Sequence, residues 1–122
     1  MKRPTYSEIQ RKIRQAGQAI ARKDFTILKP SIVALDAFEL GIQIGEIDSV
    51  LIELLEEIKP GNYAGTYPPQ RSYEDEIPQR ELFAFRWLSK RLGCVTYVKF
   101  AFEGSHLWLV SLHSDRVDPK GR

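Results

Sequence analysis

Apolar residues recur along this chain with two periods, and the change of period separates a helical first half from a stranded second half. From Ser7 to Ala21, the residues Ile9, Ile13, Ala16 and Ile20 fall at helical spacing, while Arg11, Lys12 and Arg14 lie on other faces. Gly17 weakens the middle of that helix. FTIL, Phe25 to Leu28, reads as a short strand. Pro30 and Ser31 then open a second helix, SIVALDAFEL, with Gly41 placed to stop it. The third helix is the clearest element: Ile47, Val50, Leu51, Leu54, Leu55 and Ile58 repeat at i, i+3, i+4, i+7, i+8 and i+11. Its acids, Glu46, Asp48, Glu53, Glu56 and Glu57, mostly face outward, and Lys59-Pro60-Gly61 ends it.

From Gly61 to Pro78 the chain reads GNYAGTYPPQRSYEDEIP, a long loop of the kind that is often functional or flexible. Its tyrosines, Tyr63, Tyr67 and Tyr73, either stack on bases or simply pin the loop down, and the second is commoner. Residues 81–114 predict a three-strand meander: ELFAFRWLS, CVTYVKFAFE and LWLVSLHS. The first segment also suits a helix, through Leu82, Phe85 and Leu88, but its aromatic content favours a strand.

Burial should set the register of these strands. Placing Val98, Phe100 and Phe102 on one core face with Trp108, Val110 and Leu112 pairs Phe102 with Trp108, Phe100 with Val110 and Val98 with Leu112. That predicts a three-residue loop, Gly104-Ser105-His106, and leaves His106 in the turn. A two-residue loop would set His113 against Thr96 and split the core face. The preceding hairpin places Phe83, Phe85 and Trp87 against Phe100, Val98 and Thr96. Together the pairings predict a cross-strand row, Arg86–Tyr97–His113, with Lys99 one step along and opposite Ser111.

Length and composition add bounds. At 122 residues, 43% hydrophobic and 28% charged, the chain predicts one globular domain over residues 1–122, with a flexible tail at 115–122. No apolar run is long enough for a membrane span, and the basic N-terminus lacks the apolar stretch of a secretory leader. A lone Cys94 makes no internal disulfide, and one cysteine with two histidines is too few for a typical structural zinc site. The expectation is a cytoplasmic protein with no membrane partner, cofactor or tightly held metal. The net charge of +2 hides segregation: residues 1–29 carry eight Lys/Arg against two acids, and residues 30–58 carry seven acids and no base. Residues 86–122 are basic again. Such a pattern fits either ordinary solvated faces or a nucleic-acid surface.

The row would suit cleavage of RNA without a metal. His113 can act as acid or base near neutral pH, Arg86 and Lys99 can stabilise phosphate charge, and Tyr97 can position the phosphate or stack on a base. Polar residues on an outer sheet face are most often just solvated, so the row alone does not establish catalysis. The Glu74-Asp75-Glu76 cluster offers a metal site, though its place in a loop beside Arg71 fits solvation better.

The order of segments resembles a known family. YSEIQRKIRQAGQ, FTILKPSIVALDAFELGI, IDSVLIELLEEIKPGNYAGTY and TYVKFAFEG…LWLVSLH are similar to the MqsR family of toxins from bacterial toxin–antitoxin pairs. The likeness covers most of residues 6–114 and is best at DAFELG, NYAGTY and YVK. It implies a RelE-like α+β fold, with N-terminal helices packed on a small, twisted, mainly antiparallel sheet. It also implies an mRNA endoribonuclease and a cognate antitoxin, which would cover the basic surface or a sheet edge. The family's sheet tyrosine falls on Tyr97 and the neighbouring lysine on Lys99, while its C-terminal catalytic lysine is matched by His113. A family lysine is replaced by Ala64, for which Arg86 would compensate, and a family glutamine corresponds to Gln79. Catalytic candidates are therefore His113, Tyr97, Arg86 and Lys99, with Tyr67, Gln79, Lys90 and Arg91 as RNA-binding candidates. The alternative is a non-catalytic protein- or nucleic-acid-binding module of the same fold.

Overall fold

The computed structural model describes residues 2–115, so the tail expected to be flexible lies, from residue 116 on, outside the described residues. Those residues hold three α-helices and a four-stranded sheet: α1 (Tyr6–Ala21), β1 (Phe25–Ile27), α2 (Pro30–Glu39), α3 (Ile47–Glu57), β2 (Phe83–Ser89), β3 (Cys94–Glu103) and β4 (His106–Ser114). The architecture is α+β.

Local chemistry explains where the helices begin and end. The Thr5 side chain caps α1 by accepting a hydrogen bond from the Glu8 N–H at 3.2 Å, and Glu8 itself complements the positive end of the helix. Pro30 occupies the first turn of α2, where its missing N–H costs nothing. Gly41 ends that helix with φ +80°: its N–H donates to the Phe38 carbonyl and the Ile42 N–H to that of Ala37, both at 2.9 Å. The periodic residues of α3 are all buried, as its pattern predicts.

The strand order is β1-β4-β3-β2, with β1 parallel to β4 and the other two pairings antiparallel. One face carries the main core, where Ile13, Val33 and Leu54 from the three helices meet Phe85, Phe100 and Leu109. The opposite face has a smaller core in which Ile77 and Leu82, from the long connection, pack with Leu28, Ala101, Trp108 and Val110. That connection covers the hairpin end of the second face.

The β2–β3 register is the one the apolar pattern predicts, with Phe83, Phe85 and Trp87 opposite Phe100, Val98 and Thr96. The β3–β4 hairpin requires a correction. Its loop has two residues, Gly104-Ser105, and Glu103 pairs with His106, which opens β4 and does not lie in the turn. Phe102 pairs with Leu107 and Phe100 with Leu109. A bulge at Val110 then shifts the register, so Lys99 meets Ser111, Val98 meets Leu112 and Tyr97 meets His113. The extra residue lets Leu107, Leu109 and Leu112 all enter the main core, whereas Trp108 and Val110 turn to the smaller one. The two-residue turn and an undivided core face are thus compatible.

Candidate functional site

Three adjacent strands bring together three polar side chains on the second face, beyond the part covered by the long connection. Arg86 on β2 lies opposite Tyr97 on β3, and Tyr97 lies opposite His113 on β4. The Arg86 guanidinium sits 5.6 Å from the Tyr97 ring centre, and the Tyr97 and His113 rings stack at 5.0 Å with 24° between planes. Guanidinium, phenol and imidazole therefore form one continuous stack.

The hydrogen bonding of His113 fixes what its ring can do. Nδ1 lies 2.9 Å from the Ser114 carbonyl, and a carbonyl only accepts, so Nδ1 carries the proton. In the neutral ring this leaves Nε2 with its lone pair, the state a general base needs. Burial raises the Tyr97 phenol above its ordinary value; the nearby Arg86 opposes this and Asp115 adds to it. The phenol thus remains a hydrogen-bond donor at neutral pH.

Asp115 is the member that sequence reasoning missed. Its carboxylate forms an ion pair with Arg86 Nε, and its N–H donates to the Val95 carbonyl at 2.9 Å. The assumption of a flexible tail from 115 concealed it. The available signal was register: Asp115 stands two residues beyond His113, and strand alternation returns it to the same face. Arg86 remains 49% exposed at the side chain despite this partner. Lys99, half-buried one step along β3, has no carboxylate within 4.0 Å among the described residues.

The other candidates lie apart from the row. Ala64 donates its N–H to the Ala84 carbonyl at 2.8 Å, on the outer side of β2, and Ala84 is opposite Lys99. The position matched to the family lysine is therefore in line with Lys99 but carries no charge. Tyr67 is exposed and meets Tyr63 edge-on at 5.2 Å. Gly65 lies against the Tyr63 ring, where a Cβ would fall 2.5 Å from the hydroxyl and displace it. Gln79 lies in a separate cleft with Lys12, Arg71 and Arg80. Lys90 borders a depression with Glu57 and Trp87, near the β2–β3 turn. Arg91 ties that turn to α3: its Nε donates to Glu53 at 3.0 Å and its N–H to Glu57 at 2.8 Å.

The carboxylates of the Glu74-Asp75-Glu76 segment do not converge: Glu74 pairs with Lys29 at 3.1 Å, and no cluster of three potential metal ligands occurs among the described residues. No described helix is long and apolar enough to cross a membrane.

A second polar constellation, also missed from sequence, joins β1 to β4. His106 Nδ1 donates to Asp24 at 2.6 Å, and its Nε2 lies 2.7 Å from the Thr26 hydroxyl. Both ring nitrogens are satisfied, so the group braces the parallel edge strand. Compared with protein-family models the chain matches none, and it has no significant match among curated proteins.

Proposed function

We propose that this chain is a toxin-type endoribonuclease of RelE-like fold that cuts single-stranded mRNA in the cytoplasm. The observation that supports the reading is the stack of Arg86, Tyr97 and His113, in which the Nδ1 bond leaves His113 Nε2 available. In the proposed reaction Nε2 takes the proton from a ribose 2′-hydroxyl, whose oxygen attacks the adjoining phosphorus. The bond to the 5′-oxygen breaks and that oxygen takes a proton from water, leaving a 2′,3′-cyclic phosphate and a 5′-hydroxyl, while the proton held on Nε2 passes to solvent. Arg86 and Lys99 offset the charge gathering on the phosphate oxygens, and the Tyr97 phenol donates a hydrogen bond to the same group. The resemblance to the MqsR family supports the same assignment at Tyr97, Lys99 and His113.

These steps use side chains and solvent water, which sets the first test. The purified chain incubated with single-stranded RNA in EDTA should yield fragments ending in 2′,3′-cyclic phosphate. Cleavage abolished by EDTA, or fragments bearing 3′-hydroxyls, would contradict it.

A second reading, a nucleic-acid- or protein-binding module without chemistry, is favoured by Ala64, which puts no cation beside the row. Binding of RNA without any fragments would support the module. The toxin reading also calls for an antitoxin that holds the chain inactive. Helix α2 supports such a partner: Ile32, Leu35 and Phe38 are 55%, 61% and 75% exposed, with Asp36 and Glu39 among them. An apolar segment with basic flanks would complement that face.

A further inference from the structure

Two depressions meet along one flank of α1, on the opposite face of the sheet from the row. The first, about 320 Å³, is bordered by Lys12, Arg71, Gln79 and Arg80. The second, about 240 Å³, is bordered by Gln15, Gln18, Arg22 and Ser105. They share Phe102 and Gly104, so they form one trough with an aromatic floor. Its α1 wall, from Lys12 to Arg22, runs about 15 Å at the rise of a helix.

The trough is cationic and its cations are only partly committed. The Lys12 ammonium lies over the Phe83 and Phe102 rings at 5.4 and 5.3 Å, with no carboxylate within 4.0 Å among the described residues. Among the described residues the Arg71 guanidinium donates only to the Gln79 carbonyl, at 3.3 Å. Arg80 approaches Glu103 at 3.9 Å, and Arg22 approaches Asp24 at 3.4 Å. Among the described residues the one acid in the lining, Glu81, is held by two bonds from Arg3 at 2.8 and 3.0 Å.

We infer that this trough is a binding site for single-stranded RNA, separate from the row. Lys12, Arg22, Arg71 and Arg80 suit phosphates; the amides of Gln15, Gln18 and Gln79 both donate and accept, as base edges require; Phe102 offers a ring for a base. An acidic peptide would use the cations and leave the amides and the ring without a role. Tyr97 and Phe102 are five residues apart on β3 and point to opposite faces, a separation of roughly 17 Å along the strand. A strand held in the trough is therefore gripped away from the proposed chemistry. The inference rests on the ribonuclease reading for the identity of the nucleic acid.

The test uses a fluorescein-labelled, mixed-sequence 2′-O-methyl oligonucleotide, which lacks the attacking hydroxyl and reports binding whether or not the chain cuts. Arg22→Ala/Arg71→Ala should weaken binding at least tenfold. The slope of log K against log salt should fall by about 1.4, the value for two lost single-strand phosphate contacts. Arg14→Ala/Lys59→Ala, exposed cations bordering another depression, should bind as the wild type does. Unchanged binding by the first pair, equal loss in the second, or equal displacement by polyglutamate would overturn the inference. Trough-dependent binding by a chain that never cuts RNA would uphold this site and overturn the ribonuclease reading. Cleavage with trough-independent binding would do the reverse.

Discussion

Asp24, Thr26 and His106 are three ordinary residues in the sequence, and only the parallel pairing of β1 with β4 brings them together. The His106 hydrogen bond is the main cause holding the Asp24 carboxyl below its usual range, with Arg22 adding to it. A depressed carboxylate stabilises the fold above its unfolded value, about pH 4, and loses that contribution as pH falls through the lower folded value. Asp24→Asn should therefore unfold at lower urea than wild type at pH 7, with the difference narrowing as pH falls below about 4. A difference that persists unchanged at pH 3 would assign the loss to something other than this charge. Asp115 is hidden for another reason: a tail expected to be flexible from 115 stops the strand alternation at Ser114. Arg86, Tyr97 and His113 follow from alternation, but Asp115 joins them only because the chain stays in register one step past β4.

At the scale of elements, helices α1 and α3 and the β2–β3 hairpin were legible because each has one buried face and hence one apolar stripe. Helix α2, apolar on its exposed side too, was legible through Pro30 and Gly41 at its ends. The β3–β4 hairpin was not, because the first half of β4 is apolar on both faces. Leu107 and Leu109 serve the helix side, Trp108 and Val110 the smaller core beneath Ile77 and Leu82. Alternation alone cannot say which set faces the helices, and the bulge at Val110 permits both. The energetics distinguish the two registers. Leu109→Ala, which empties a fully buried position in the main core, should cost about 2–5 kcal/mol in urea unfolding. Val110→Ala, at the half-buried bulge, should cost clearly less. The reverse order would favour the simple register without a bulge.

Across the whole molecule the sheet separates two polar surfaces. The exposed end of its second face holds the Arg86–Tyr97–His113 stack, and the helix side holds the cationic trough along α1. The segregation of charge along the chain does not foretell this division, since both surfaces carry cations and Gln79 and Arg71 reach the trough only through the fold of the long connection. In the proposed reaction His113 moves a proton at a phosphodiester. The most direct test of that step is the single-turnover cleavage rate of His113→Ala on single-stranded RNA in EDTA, beside its binding of the 2′-O-methyl oligonucleotide. Loss of a general base predicts a rate about 10²–10⁴-fold lower, with binding unchanged. Cleavage at the wild-type rate by His113→Ala would contradict the account.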